Sequence, residues 1–177
     1  MPPDFYLNPG NKTKGLMEIK AFNYKGSPGF DIADFRMYER EIAQKPWMLN
    51  VTYLVFGYDM AEDGTVTIKK VWQKKVWEMS RPMKSGKSKT IWPINLQIKQ
   101  GTVHKMRPAK WYGKQTAFSI YDCLEDFLSA MEETMYKNKD TRDDAPDWLQ
   151  KVLDNYEKHY KVRLQIPRWN DIASKYV

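Results

Sequence analysis

Pro3-Asp4-Phe5-Tyr6-Leu7, then Asn8-Pro9-Gly10-Asn11, then Leu16-Met17-Glu18-Ile19-Lys20-Ala21-Phe22 is the stretch whose reading decides the fold. Two short apolar runs flank a turn in which Pro and Gly both suit tight backbone angles. Residues 4–7 and 16–22 therefore predict two strands of one hairpin. Side chains alternate along a strand, so Glu18 and Lys20 share a face. The hairpin brings Asp4 beside them.

Further along, Ser27-Pro28-Gly29 breaks the chain. Apolar residues from Phe30 to Gln44 approximate helical spacing, with Asp31 and Asp34 placed for the first turn and Pro46 as the stop. Met48 to Tyr58 is rich in β-branched and aromatic residues and predicts a strand buried on both faces. Glu62-Asp63-Gly64 is a hairpin turn, and Thr65 to Trp72 returns as a strand. Arg81 to Lys89 is a polar loop. Ile94–Lys99 and Val103–Met106 flank a turn at Gln100-Gly101. Ser119 is a helix cap for a helix running to about Tyr136. Asp147 to Tyr160 is a second amphipathic helix, and Trp169 to Tyr176 a short last one. This order of elements predicts an α/β or α+β arrangement.

The chain has 177 residues, 42% apolar and 14% aromatic, with a formal charge of +7. That is enough apolar content for a packed core, which excludes low-complexity disorder. No apolar run approaches the ~18 residues of a membrane span, and no secretory signal is visible at the start. The single cysteine, Cys123, allows neither an internal disulfide nor a cysteine zinc cluster. On its apolar helix face it reads as core. Charge is uneven: Thr65 to Gln115 holds 13 basic residues against Glu78 alone, and Thr116 to Glu157 holds 11 acids against four bases. A basic middle suits a polyanion partner, because clustered Lys and Arg gain by releasing counterions from a phosphate backbone. Trp72, Trp77, Trp92 and Trp111 lie among those bases. They either stack on nucleobases or anchor the core, and the core reading is favoured because aromatics dominate buried area.

Asp4 and Glu18 on adjacent strands form a hard-oxygen site suited to Mg²⁺, which takes one or two carboxylates plus substrate phosphate. Lys20 beside them would orient the attacking water and stabilise charge on the phosphate. The bland alternative is a solvent-facing Glu-Lys pair worth under ~1 kcal/mol.

Pro3-Asp4 and Glu18-Ile19-Lys20, thirteen residues apart, resemble the motif of the PD-(D/E)XK nuclease superfamily, which includes most type II restriction endonucleases. Met17–Phe22, Phe30-Asp31-Ile32-Ala33-Asp34-Phe35, Tyr53–Tyr58 and Met106-Arg107-Pro108-Ala109 look like a restriction endonuclease of the NgoBV/NlaIV kind. The resemblance covers most of Asp4 to Tyr136. It implies a PD-(D/E)XK mixed sheet flanked by helices. Asp4, Glu18 and the backbone carbonyl of Ile19 would hold Mg²⁺, with Asp4, Glu18 and Lys20 catalytic. It also implies a palindromic double-stranded DNA target, a homodimer and a prokaryotic cytoplasmic setting. Only three residues precede Asp4, so the superfamily's N-terminal core helix is expected to be missing, and the chain alone to be an inactive fragment if that helix is essential.

The expected organisation is one nuclease domain over residues 1–177. Its parts are a catalytic core at 1–64, basic DNA-contacting strands and loops at 65–115, and a helical part at 116–177. The DNA contacts expected are Arg81, Lys84, Lys87, Lys89, Lys105, Arg107 and Lys110. Of these, Arg81 and Arg107 are the base readers, since guanidinium pairs bidentately with guanine edges. The alternatives are another nuclease of the superfamily acting in repair or junction resolution, and a basic DNA-binding module without catalysis.

Overall fold

The computed structural model describes residues 3–84, 90–97, 104–112 and 118–177. The expected hairpin forms: β1 (Phe5–Tyr6) and β2 (Leu16–Asn23) pair antiparallel, Phe5 opposite Met17 and Tyr6 opposite Leu16. In its turn the Gly10 amide donates to Asn8 Oδ1 at 3.1 Å. Gly15 closes it with φ +64°, an angle that favours glycine, and a Cβ there would lie 3.1 Å from Leu7 Cβ, a tight contact.

After the hairpin comes β3 (Ala33–Asp34), then α1 (Phe35–Gln44). The helix starts later than the apolar spacing from Phe30 suggests. The Ile32 amide donates to Met106 O at 2.9 Å, which holds residues 32–34 in extended pairing. Asp34 then caps α1, accepting the Met37 amide at 3.0 Å. Asp31 lies outside the helix. A short 3₁₀ turn over Pro46–Asn50 replaces the start of the expected strand, so β4 spans Thr52–Met60. It runs parallel to β2. β5 (Val66–Lys74) returns antiparallel to β4, giving the sheet order β1-β2-β4-β5.

The expected loop from Arg81 includes a short strand, β6 (Met83–Lys84), paired with β7 (Ile91–Trp92). β8 (Leu96–Gln97) and β9 (Lys105–Met106) pair antiparallel as expected and join β3 in a second small sheet. Their turn at Gln100-Gly101 lies outside the described residues. The helical part holds α2 (Leu124–Lys137), α3 (Ala145–Tyr160) and α4 (Trp169–Ile172). Ser119 is not the cap of α2: its amide donates to Tyr176 O at 3.2 Å, and Cys123 holds the cap position without a side-chain bond. Cys123 is accordingly half-buried rather than core, and burial pushes its thiol pKa up.

The mixed sheet with flanking helices is the α/β architecture expected. Leu16, Phe22, Tyr53 and Val55 are buried on one face of the larger sheet, in one core with Phe35, Tyr38 and Ile42 of α1. Phe127, Leu128 and Met131 of α2 and Trp148 and Val152 of α3 extend it. Each such side chain contributes ~1.5–3 kcal/mol on full burial. Trp148 Nε1 donates to Glu39 O at 2.8 Å and Asn155 Nδ2 to Ala43 O at 2.7 Å, tying α3 to α1. β4 is not buried on both faces: Tyr53 and Val55 are buried, whereas Leu54, Phe56 and Tyr58 are half-buried. No helix among the described residues is long and apolar enough to cross a membrane.

Candidate active site and nucleic-acid interface

β2 alternates as its sequence implies. Leu16, Glu18 and Phe22 are buried and Lys20 half-buried on the covered face, while Ile19, Ala21 and Asn23 are exposed on the other. Glu18 is only 3% exposed. Its Oε1 lies 2.6 Å from Lys20 Nζ. Its Oε2 is buried and has no hydrogen-bond partner. Tyr53, opposite Glu18 on β4, is buried, and its phenol pKa is raised by burial and by the Glu18 charge. The pair is therefore not the solvent-facing one that a strand Glu-x-Lys ordinarily makes.

Asp4 sits one residue before β1, exposed, with Oδ2 accepting the Ile19 amide at 2.8 Å. The register that sets Phe5 against Met17 carries Asp4 to the Glu18–Lys20 segment. The structure thus brings Asp4, Glu18, Ile19 and Lys20 together at one place on β2. No group of three or more His, Cys, Asp or Glu side chains arranged for a metal occurs among the described residues. Two carboxylates, backbone carbonyls and water nevertheless fit a hard divalent cation completed by substrate phosphate. The orphaned Glu18 Oε2 is the observation that favours one: a buried anionic oxygen without a donor is costly, and a cation would satisfy it.

The basic residues divide. Lys84 is exposed on β6. Arg81 is half-buried, its guanidinium 5.9 Å from the Phe118 ring centroid and its Nε buried without a partner. Lys105 Nζ lies 3.7 Å from Asp34 Oδ2. Arg107 pairs with Asp31 through Nη1 and Oδ1. Its backbone is held too: the amide donates to Asn95 O at 2.9 Å and Asn95 Nδ2 donates to its carbonyl at 3.2 Å. Lys110 Nζ lies 5.3 Å from the Tyr112 ring. Lys87 and Lys89 lie outside the described residues. Lys75, counted in the basic stretch, faces inward, donating to Asn50 O at 2.6 Å and Thr52 Oγ1 at 3.0 Å.

Sequence reasoning missed what continues the covered face beyond Lys20. Phe22, Tyr24, Trp72 and Tyr112 form a stack, with Trp72 and Tyr112 centroids 5.0 Å apart and Tyr24 and Tyr112 5.9 Å apart at 15°. Gly57 makes room: a Cβ there would lie 2.9 Å from Tyr24 and 3.0 Å from Trp72. Trp111 is 8% exposed and meets this stack edge-on, so the core reading of these tryptophans holds for it. The signal available was Gly57, a lone glycine inside an apolar strand. Glu39, buried at 2% exposure on α1, was also missed.

Comparison with known proteins bears on this geometry. Residues 1–176 match the family described as NgoBV restriction endonuclease. The chain is 52% identical over 177 residues to the type II restriction enzyme NlaIV of Neisseria lactamica, spanning 99% of this chain and 70% of that enzyme. It is 45% identical over 100 residues to the type II restriction enzyme NgoBV of Neisseria gonorrhoeae, spanning 56% of this chain and 53% of that one. The solved NlaIV restriction endonuclease superposes with a TM-score of 0.92 over 99% of this chain and 70% of its own.

Proposed function

This chain belongs to the NgoBV restriction endonuclease family, and from that premise we propose that it is a Mg²⁺-dependent type II site-specific deoxyribonuclease. It hydrolyses phosphodiester bonds in double-stranded DNA at a short palindromic sequence. Residues 1–177 act as one nuclease domain, used as a homodimer so that one site addresses each strand, in the cytoplasm of a prokaryotic cell. The observation that carries this is the buried Glu18 carboxylate, one oxygen on Lys20 and the other without a partner.

Asp4, Glu18 and the Ile19 carbonyl hold the cation. A cation held there would supply Lewis-acid polarisation of the phosphoryl oxygen and a lowered pKa for bound water. Glu18 also fixes Lys20: the 2.6 Å contact holds the ammonium at the carboxylate, where it orients the attacking water and offsets charge gathering on the phosphate. Lys84, Lys87, Lys89, Lys105 and Lys110 contact phosphate, and Arg81 and Arg107 read bases. For Arg107 this requires exchanging Asp31 for a guanine edge. Asp31 thus keeps the guanidinium oriented in the free protein.

Substrate choice tests the proposal. Linear duplexes and four-way branched DNA of the same sequence are incubated with Mg²⁺, and the cut ends are sequenced. The expected result is cutting of duplex at one short sequence, on both strands. Cutting of branched DNA at its junction whatever the sequence would refute the restriction reading.

A further inference from the structure

The aromatic rings beside Lys20 have no part in the cleavage step described above. Register places them. Lys20 lies across from Val55 and Val55 across from Trp72, so the Lys20 and Trp72 backbones are two strand spacings, ~10 Å, apart. Two residues on, Phe22 lies across from Gly57 and Gly57 across from Lys70. Tyr24 continues the same face, its amide donating to Tyr58 O at 2.7 Å. The ring contacts among Phe22, Tyr24, Trp72 and Tyr112 are near-parallel, between 15° and 29°. Trp111 meets Phe22, Trp72 and Tyr112 edge-on, at 73° to 90°. Phe22 is buried, Trp72 and Tyr112 are half-buried, and Tyr24 is 39% exposed, so the array runs from the core out to the surface.

Phe22 and Trp111 supply the buried ring area that a core needs. Tyr24 and Tyr112 instead carry rings to the surface, and both are fixed there. The Tyr112 hydroxyl donates to Gly26 O at 3.3 Å, and Gly57 lets Tyr24 and Trp72 pack directly on the strand backbone. Rings held in place lose little freedom on contact with a ligand. Cations flank them: Lys20 on β2, exposed Lys70 at the β5 edge, and exposed Lys110, with Nζ 5.3 Å from the Tyr112 centroid. A matching occupant presents a flat apolar face with negative charge beside it. A nucleobase on its phosphodiester chain has both, whereas an apolar protein side chain has only the first. We propose that Tyr24 and Tyr112 form a stacking platform for one nucleobase of the substrate DNA, turned out of the duplex near the scissile phosphate. The ~10 Å from Lys20 spans about three nucleotides at ~3.4 Å each. Resting on the nuclease reading, this gives the rings a substrate contact outside the cleavage step. The base leaves the duplex at the cost of its own stacking and pairing, least at a mismatch, and the rings replace the lost stacking.

Photochemical cross-linking tests it. Once the cut position is mapped, iodouracil is placed in turn at each position within about three nucleotides of the scissile phosphate. Ca²⁺ replaces Mg²⁺ to keep the DNA uncut. Long-wavelength irradiation joins the modified base to an aromatic ring stacked on it, and mass spectrometry identifies the joined peptide. The expected result is a cross-link to Tyr24 or Tyr112 at one position. A mismatch at that position should tighten wild-type binding about tenfold, because the base is then cheaper to extrude. Tyr24→Leu, a change at an exposed ring, should lose that gain and weaken binding of the matched duplex by roughly tenfold. Tyr24→Phe, which keeps the ring, should behave as the wild type. No cross-link to either ring at any position would overturn the platform, and so would a mismatch gain that survives Tyr24→Leu in full. If either result came with cutting at one sequence, the nuclease reading would stand without the platform. A protein that neither binds nor cuts duplex DNA would overturn both.

Discussion

Lys20 Nζ lies 2.6 Å from one oxygen of Glu18, and the other oxygen of the same carboxylate is buried with no partner. The carboxylate is thus half satisfied by the chain itself. Removing Lys20 alone leaves a buried charge without its cation, which costs more than the pair is worth. Lys20 keeps some solvent contact, with a side chain 22% exposed, so Lys20→Met is expected to cost ~1–3 kcal/mol of stability. Glu18→Gln/Lys20→Met should recover most of that loss. Urea unfolding of the two single variants and the double variant checks the coupling. Both single variants should cut DNA at least ~100-fold more slowly, since each removes a group that acts on the transition state.

Glu39 gives the protein a pH dependence on the acid side of neutrality. Its carboxyl pKa is pushed up to about 7 by burial and by the Asp144 charge, against the pull of Arg40 and Arg36. The unfolded chain ionises near 4.5. Between those values the unfolded state has already released the proton that the folded state keeps, so stability falls as pH rises from about 4.5 to about 7 and is level above. Glu39→Gln should therefore raise Tm at pH 8, by up to ~3 kcal/mol of stability, and change it little at pH 4.5. Thermal unfolding across that range checks both ends.

The aromatic stack beside Lys20 depends on a missing methyl. A Cβ at Gly57 would lie 2.9 Å from Tyr24 and 3.0 Å from Trp72. Gly57→Ala must push those rings apart and should cost ~1–3 kcal/mol by overpacking. Denaturant midpoint measures the cost, and altered near-ultraviolet circular dichroism would report the displaced rings.

Two basic residues should affect DNA binding differently. Lys84 is exposed on β6, and as a phosphate contact Lys84→Ala should weaken binding evenly across sequences and reduce the salt slope by ~1. Arg107 is paired with Asp31 and held at its backbone by Asn95. As a base reader Arg107→Ala should cost ~1–3 kcal/mol on the target sequence and little on random DNA. Titrations of target and random duplexes at several salt concentrations separate the two.

Local signals made the hairpin and Glu18–Lys20 legible, because alternation and an Asn-Pro-Gly turn act within a few residues. Asp34, expected in the first turn of a helix from Phe30, is instead the cap of a helix that starts at Phe35. What stayed hidden was set by distant partners. Ser119 fails as a cap because its amide bonds Tyr176, and Ile32 stays extended because Met106 takes its amide. Asp31 meets Arg107 instead of the first helical turn. Charge counting marked a basic stretch but gave no sign that Lys75 turns inward. Asp4 was readable as near Glu18, but not that its carboxylate would take the Ile19 amide.

The most direct measurement is plasmid digestion by this chain with Mg²⁺, alongside an EDTA control and Glu18→Ala. The expected result is discrete fragments from the wild type, absent with EDTA and absent with Glu18→Ala, which still binds the target duplex. Discrete fragments from Glu18→Ala at the wild-type rate, or no cutting by the wild type, would contradict the assignment of the active site to Asp4, Glu18 and Lys20.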